Sequence, residues 1–304
     1  MMRRLTCALS FTLLALPLAA QGRDPVTTDP VVRDRAHPPA MDELAFESGG
    51  SRVNGFIYLA QGAEPHPTVV LLHGYPGNER NLDLAQAMRR AGMNVLFFDY
   101  RGSWGSGGEF SFANAQEDVA TAVRWLRSPE LVKRYHVDPA RIALVGHSMG
   151  AWLALHGAIA DSGVRCAAAI ELADMTRHMK AARRDSSALR EMMGYDDWLT
   201  QPGGALHADP RALEASLDAN ADRWDLTTRA RELAPRTLLL LDNDHNTDHV
   251  PLLAALGAAG AKHVTAEVWT TDHSFSDRRI ALARRVVEWL DACQGTGARR
   301  QEVR

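Results

Sequence analysis

Hydrophobic residues recur along the chain in two alternating patterns, short continuous apolar runs and longer stretches with helical spacing. Continuous runs are typical of strands buried on both faces of a sheet, and apolar positions three or four residues apart are typical of a helix with one buried face. The alternation therefore predicts an α/β fold with a mostly parallel sheet covered by helices on both faces. The strand-like runs lie at residues 68–72, 95–98, 142–145, 167–172, 237–241 and 264–269, and the helical patterns at 82–91, 118–126, 151–159 and 280–290.

Two segments depart from this alternation. Residues 44–47 and 53–59, separated by Ser-Gly-Gly-Ser, predict an antiparallel hairpin at one edge of the sheet. Residues 174–235 interrupt the alternation of strand-like and helical segments with a stretch rich in Arg, Met, Trp and helix-forming residues. We interpret them as a helical lid inserted into a core of residues 43–173 and 236–292, with 293–304 as a tail. A pair of surface helices in an ordinary long connection would give the same pattern.

The first residues have the pattern of a targeting segment. A basic start, Met-Met-Arg-Arg, precedes an apolar stretch over residues 5–18 and small residues at 19–22, which predicts a signal peptide over residues 1–22. An uncleaved N-terminal anchor is the alternative. Residues 23–42, rich in proline and charge, are interpreted as an extended leader. We therefore expect a secreted or periplasmic protein in which Cys166 and Cys293 remain after cleavage, and the sequence leaves their pairing open.

Composition and charge exclude several classes of protein and several kinds of binding partner. The 304 residues are 46% hydrophobic and 23% charged, which excludes intrinsic disorder. A net charge of −3 provides no field that would draw the protein to nucleic acid, and no stretch after the signal approaches 18 uninterrupted apolar residues. The three cysteines lack zinc-type spacing. We expect a small-molecule substrate, no nucleic acid and no stable membrane span.

The sharpest motif is Gly-His-Ser-Met-Gly, residues 146–150, between a predicted strand and a predicted helix. A serine forced into a tight strand-to-helix turn needs neighbours without side chains, because the backbone is strained and other elements pass close by. Gly146 and Gly150 supply this, and the N-terminus of the next helix is aimed at the serine oxygen. The motif predicts Ser148 as a nucleophile. A glycine-flanked serine in an ordinary turn is the alternative.

A serine nucleophile requires a histidine base and an acid that orients it. His273 follows the strand at 264–269 and is the candidate base. Residues 242–249, Asp-Asn-Asp-His-Asn-Thr-Asp-His, follow the strand at 237–241 and offer three carboxylates. We predict Asp244 as the acid and Asp248 as the reserve, because Asp242 is still at the strand edge. The same eight residues could instead hold a divalent cation, although their spacing matches no specific metal-binding loop.

Acyl transfer also needs N–H donors for the developing oxyanion. The candidates are the backbone N–H groups of Met149, after the nucleophile, and of Tyr75, in the His-Gly-Tyr-Pro-Gly turn after the strand at 68–72. A second glycine-rich loop at 99–108 lacks the lysine and spacing of a phosphate-binding loop. We therefore expect neither a cofactor nor a metal.

With these motifs in place, residues 68–290 resemble the α/β-hydrolase superfamily, with the triad in the order Ser148, Asp244, His273. The chain looks closest to bacterial esterases and dipeptidyl-aminopeptidase-like hydrolases, which share His-Gly at 73–74, Asp-Tyr-Arg-Gly at 99–102 and Asp-His-x-Phe at 272–275. It departs from them in having Ala151 after the elbow, and its acid loop lacks the usual glycine followed by a single Asp. Ser148 in place of an aspartate argues against the haloalkane dehalogenase and epoxide hydrolase branches.

The resemblance implies a serine hydrolase that cleaves carboxylic esters of short or medium acyl chain through an acyl-enzyme intermediate. An amide hydrolase of the dipeptidyl-aminopeptidase or acylaminoacyl-peptidase type is the alternative, and a hydrolase fold used only for binding is another. An aminopeptidase would need a carboxylate near the site to hold the substrate ammonium. Glu171, Asp174, Glu191, Asp196 and Asp197 are available for that role.

Overall fold

The computed structural model describes residues 24–295. The predicted signal peptide lies outside them, as do all but the first three residues of the predicted tail. Residues 24–39 form turns and bends that lead into the first strand. Within the described part, none of the helices combines the length and apolar character that crossing a bilayer requires.

Within residues 24–295, eight strands form one sheet in the order β1-β2-β4-β3-β5-β6-β7-β8. The first two form the predicted hairpin, β2 pairs antiparallel with β4, and all remaining pairs are parallel. The mostly parallel sheet predicted from the apolar runs is confirmed. The strands are β1 (Ala40–Ser48), β2 (Ser51–Leu59), β3 (His66–Leu72), β4 (Asn94–Phe98), β5 (Val137–His147), β6 (Cys166–Ile170), β7 (Thr237–Asn243) and β8 (Val264–Trp269).

Helices cover both faces of the sheet, as predicted. They are α1 (Leu82–Arg90), α2 (Phe112–Leu126), α3 (Pro129–Tyr135), α4 (Met149–Ala160), α5 (Met175–Ala182), α6 (Ser186–Thr200), α7 (Pro210–Asn220), α8 (Ala230–Leu233), α9 (His249–Ala258) and α10 (Arg279–Gln294). Helices α5 to α8 occupy the segment between β6 and β7 that the sequence marked as an insertion. Helix α2 begins earlier than the apolar pattern indicated, because the Ser111 hydroxyl caps it by accepting from the Asn114 N–H at 3.0 Å.

The alternation of side chains along each strand divides the core in two. Val70, Leu72 and Leu144 face a cluster with α2 and α4, whereas Val69 and Val145 face a cluster with α1 and α10. The inner strands β3, β4, β6 and β7 are buried on both faces and lack a polar side, which is why their sequences are nearly continuous apolar runs, whereas the edge strand β8 is partly exposed. The parallel strands β3 to β8 end at one edge of the sheet, where loops carry the polar residues.

A disulfide joins Cys166, the first residue of β6, to Cys293 near the end of α10, with the two Cα atoms 6.2 Å apart. The sequence left this pairing open. The two cysteines are separated by 127 positions. The bond therefore ties the C-terminal helix to the centre of the sheet.

Candidate active site

Ser148 occupies the sharp turn between β5 and α4. Its φ of 59° and ψ of −125° are rare for a residue with a side chain, and its N–H donates to the Ile170 carbonyl at 2.9 Å. A Cβ at Gly146 would overlap the carbonyl of Gly150, and one at Gly150 would lie 2.6 Å from the His73 carbonyl oxygen. Both glycines are therefore needed for the close packing of this turn.

The loop after β3 passes directly against the serine. A Cβ at Gly74 would lie 2.9 Å from the Ser148 Cβ and 3.3 Å from its Oγ, so only a glycine fits there. The adjoining peptide N–H belongs to Tyr75. Met149 is the first residue of α4, where backbone N–H groups lack intrahelical acceptors. Both predicted oxyanion donors thus lie on backbone that borders the nucleophile.

His273 lies in the loop after β8. His147, the residue before Ser148, donates through Nε2 to the His273 carbonyl at 2.8 Å, and the two rings are 4.8 Å apart. This contact joins the histidine loop to the nucleophile turn across 126 positions of sequence. Desolvation lowers the pKa of His273 below its ordinary value, which favours the neutral imidazole that a general base requires.

The structure does not bring the predicted acid, Asp244, to His273. Its N–H donates to the Trp269 carbonyl at 3.0 Å, its side chain is 37% exposed, and its carboxylate lies 3.6 Å from Nε2 of the exposed His245. The physical reason is that β7 extends to Asn243, so Asp244 is held at the strand edge.

The reserve acid, Asp248, is turned toward the insertion. Its carboxylate lies 2.6 Å from Nε2 of His178 and 3.2 Å from Nε of Arg177, both on α5, and accepts the Asp174 N–H at 2.9 Å. These contacts lower the pKa of Asp248 and raise that of His178. Asp248 lies at the N-terminus of α9, but its side chain makes no capping bond there. It anchors α5 to the core.

Among the described residues, the carboxylate within 4.0 Å of a His273 ring nitrogen belongs to Glu171, whose Oε2 lies 4.0 Å from Nδ1. Glu171 directly follows β6 and is fully buried. Sequence reasoning considered it only as a binding site for a substrate ammonium, because residues 167–172 were assigned to one strand. The sequence did contain one signal for a functional carboxylate here, because Glu171 is an acidic residue within the otherwise apolar run at 167–172.

Behind Glu171 lies a second buried carboxylate, Asp242. Asn246 links the two, donating through Nδ2 to Glu171 Oε1 at 2.7 Å and to Asp242 Oδ1 at 3.0 Å. Nδ1 of His249 lies 3.0 Å from Asp242 Oδ2. Burial raises the pKa of Asp242 to about 8 and, with Glu171 nearby, favours its protonated form at neutral pH. Residues 242–249 thus build a hydrogen-bonded network, and the described part of the chain contains no cluster of potential metal ligands.

The insertion contacts the loop that carries the predicted oxyanion donor. The Tyr75 hydroxyl donates to Asp196 Oδ1 on α6 at 2.7 Å, and the Tyr75 ring lies 6.1 Å from that of Tyr195. The Trp104 N–H donates to the Ala205 carbonyl at 3.0 Å. Burial raises the pKa of Asp196 to about 6. Helix α6 and the segment after it therefore lie over the edge of the sheet that holds the serine loop.

A known protein family and solved structures match most of the residues that form the sheet, its helices and the loops of the site. A family model described as the alpha/beta hydrolase family matches residues 69–286. An uncharacterized protein of Mycobacterium tuberculosis is 33% identical over 119 residues, which are 39% of this chain and 41% of that protein. The chain thus spans about two fifths of the curated relatives it matches.

Solved structures extend the likeness to the whole fold. A carboxyl esterase from Bacillus coagulans has a TM-score of 0.62 at 17% identity, covering 84% of this chain and 99% of that one. An esterase from Pyrococcus furiosus has a TM-score of 0.60 at 18% identity, covering 88% and 98%. At these identities the likeness shows the fold alone.

Proposed function

We propose that this chain, which belongs to the alpha/beta hydrolase family, is a serine hydrolase that cleaves carboxylic esters of short or medium acyl chain. One observation carries the proposal. Ser148 is held at a φ of 59° between β5 and α4, with Gly74 of the oxyanion loop on one side and the histidine loop tied to His147 on the other. Such strain in a well-packed turn is typical of a functional site.

In the proposed reaction the His273 imidazole accepts the Ser148 hydroxyl proton as Oγ bonds to the acyl carbon. The negative charge that develops on the carbonyl oxygen is stabilised by the N–H groups of Met149 and Tyr75. Collapse of the resulting tetrahedral intermediate breaks the ester C–O bond, and the imidazolium gives its proton to the leaving alcohol. Water then attacks the acyl-enzyme with His273 again as the base, which releases the acid and restores the serine.

Esters are favoured over amides because an amide also needs protonation of a poor leaving group and subsites that hold a peptide. We propose that the insertion over residues 174–235 acts as a lid that sets substrate size. The contacts of α6 with Tyr75 support this. The insertion is also rich in charged residues, which argues against the large apolar surface that a long-chain lipase exposes on opening. The comparisons add support, since the two structural neighbours are named as esterases.

One observation favours the amide alternative. Asp196 is a buried carboxylate whose partner, Tyr75, belongs to the oxyanion loop. A buried carboxylate bonded to this loop is the kind of group that would hold the ammonium of an aminoacyl substrate. Its hydrogen bond with the Tyr75 hydroxyl already uses one of its oxygens, which is why we rank the ester activity first.

A labelling experiment tests the nucleophile. The mature protein should react covalently with a fluorophosphonate, and Ser148→Ala should neither label nor turn over substrate. Labelling of Ser148→Ala to the wild-type extent would refute the proposal, and so would a wild-type protein that does not label. Absence of labelling in the wild type would favour a hydrolase fold used only for binding, whereas undiminished labelling of Ser148→Ala would assign the reactivity to another nucleophile.

A substrate panel tests the specificity. We expect kcat/KM to be highest on p-nitrophenyl acetate, butyrate or octanoate, compared with the palmitate and with alanyl and prolyl arylamides. A maximum on the palmitate would contradict the proposal, and a maximum on an arylamide would favour the amide alternative. Shortening residues 174–235 in a protein that still folds should change the acyl-chain profile, and an unchanged profile would contradict the lid.

We further propose that the protein is secreted or periplasmic. The basic and apolar N-terminal pattern supports this, and so does the disulfide between Cys166 and Cys293, since structural disulfides persist in oxidising compartments. Fractionation of cells that express the full chain should recover the processed protein outside the cytoplasm. Recovery of unprocessed protein in the cytoplasm would contradict it.

A further inference from the structure

We propose that Glu171, at the end of β6, is the carboxylate that orients and stabilises His273, in place of the aspartates that follow β7. This inference rests on the proposed function and deepens it by assigning the third member of the catalytic group. Glu171 acts through His273, so it is a positioning residue.

The backbone places this carboxylate in the correct part of the sheet. Strand β6 lies beside β5, with Ile170 paired to His147, so Glu171 follows β6 where Ser148 follows β5. Glu171 adopts a φ of 55°, which is uncommon for a residue with a side chain. Its N–H donates to the Leu241 carbonyl at 2.8 Å, and that bond helps to hold the turn in this conformation.

The two carboxylate oxygens of Glu171 have different surroundings. Oε1 accepts from Asn246 Nδ2 at 2.7 Å and from the Asn243 N–H at 3.3 Å. Oε2 is buried without a hydrogen-bond partner and lies 4.0 Å from Nδ1 of His273. A buried carboxylate oxygen left unpaired is costly, and a small rotation of the imidazole would bring Nδ1–H into hydrogen-bond range. Contacts of this kind are often long in the absence of substrate and shorten when it binds.

Asn246 fixes the direction of the free oxygen. Its amide also donates to the Leu172 carbonyl at 3.0 Å, so it is held to Glu171, Leu172 and Asp242 at once. With Oε1 held by Asn246, Oε2 is the oxygen that remains for His273. Asp242 accepts the Leu172 N–H at 2.7 Å and is itself fully buried, so it supports the turn from behind.

The competing carboxylates have other partners. Asp248 pairs with Arg177 and His178 of the insertion, and Asp244 lies beside His245 with more than a third of its side chain exposed. Neither is within 4.0 Å of a ring nitrogen of His273 in the described structure.

The proposed role has a defined proton balance. Once the imidazole has turned toward Glu171, Nδ1–H of His273 donates to Oε2 through the remaining steps, while Nε2 accepts the Ser148 proton and later returns it to the leaving alcohol. The carboxylate does not take up this proton. It selects the tautomer in which Nε2 is free to accept, and it stabilises the imidazolium that forms.

The test compares Glu171→Gln with Asp244→Asn and Asp248→Asn, and uses Glu130→Gln, an exposed position on α3, as the matched control. We expect Glu171→Gln to lower kcat by about 10³ to 10⁴-fold, as expected when the imidazole loses its orienting anion. Asp244→Asn and Asp248→Asn are expected to keep kcat within about threefold. Asn246→Ala should lower kcat by up to about 10²-fold, since misplacement by about 1 Å has effects of that size.

A pH profile separates positioning from a merely structural role. The acid limb of kcat/KM follows protonation of His273, whose pKa is also raised by the Asp272 carboxylate, while burial keeps the adjacent His147 neutral by lowering its pKa to about 4. Both groups are present in every variant, so removal of the Glu171 charge should move the midpoint to lower pH by about one unit. Glu171→Asp keeps the charge at a shorter reach, so it should lose part of kcat while its acid limb stays at the wild-type midpoint. It also serves as the test if the Gln variant does not fold.

Turnover by a folded Glu171→Gln within about threefold of wild type overturns the assignment, and so does an acid limb of Glu171→Asp that moves to lower pH. A loss of kcat by 10³-fold in Asp244→Asn or Asp248→Asn, with Glu171→Gln active, moves the role to that aspartate. In all these outcomes fluorophosphonate labelling of Ser148 still supports the proposed function. Failure of that function appears separately, as turnover by Ser148→Ala.

Discussion

Loss of the disulfide between Cys166 and Cys293 is expected to destabilise the fold without changing the chemistry. The bond closes a loop across 127 positions, and loop-closure entropy gives about 5 kcal/mol at 25 °C for a loop of this length. For about 270 folded residues the unfolding entropy near 60 °C is about 0.6 kcal/mol/K, so the midpoint should fall by about 8 °C. The bond lies at the start of β6, opposite to the end that carries Glu171, so kcat at 25 °C should stay unchanged.

The assay is thermal unfolding followed by circular dichroism, with and without a reductant, on the wild type and Cys293→Ser. Reduced wild type isolates the effect of the bond from that of the side chain, and Cys293→Ser should match it and be insensitive to reductant. Oxidised and reduced wild type that melt within about 2 °C of each other would refute the loop-closure argument. A reductant-sensitive Cys293→Ser would show that a different thiol chemistry is responsible.

Three further predictions concern the close packing at Gly150, the buried carboxylate of Asp196 and the buried ion pair of Asp118 with Arg101. Gly150→Ala should lower the free energy of unfolding by about 2–3 kcal/mol and remove most activity, because the added Cβ would meet the carbonyls of Leu72 and His73. At Gly194, in α6, no atom lies within 4 Å of an added Cβ, so Gly194→Ala should raise the free energy of unfolding by about 0.5–1 kcal/mol. Urea unfolding measures both changes, and equal changes would contradict the role of packing at Gly150. Asp196 has a folded-state pKa of about 6 against an ordinary value of 3.8, so the folded protein binds more protons between these values and stability falls as pH rises through them. Asp196→Asn should therefore be more stable than wild type at pH 8, by at most about 3 kcal/mol, and the difference should vanish near pH 4. The same gain in stability at both pH values would show that ionisation of Asp196 does not destabilise the folded protein. Asp118→Ala should lose about 3 kcal/mol in the same assay, because Nε of the buried Arg101 loses the carboxylate 2.6 Å away while its other nitrogens keep the exposed Glu117 and the Asn114 carbonyl. A loss below 1 kcal/mol would show that Glu117 or solvent replaces Asp118.

The sequence by itself determined the local features of the fold and of the nucleophile. Continuous apolar runs specify strands buried on both faces, as in β3, β4 and β6, and the strand-like segment at 264–269 matches the bounds of the partly exposed edge strand β8. The turn at Ser148 was predictable for the same reason, because its strain and its need for flanking glycines are set by neighbouring residues. His273 followed from its place after the last strand. Element ends were less accurate, since the cap at Ser111 extended α2 beyond its apolar pattern.

Tertiary structure decided which distant groups meet. The pairing of Cys166 with Cys293, the bond of Tyr75 to Asp196 across 121 positions, and the approach of Glu171 to His273 all depend on strand order and side-chain direction. The sequence offered three aspartates at and beyond the end of β7, and their spacing alone ranked Asp244 first. Burial, the extension of β7 and the contacts of the insertion gave each of them a different partner. Spacing along the chain carries local geometry, but the distance between a carboxylate and an imidazole is fixed only when the sheet has brought their strands together.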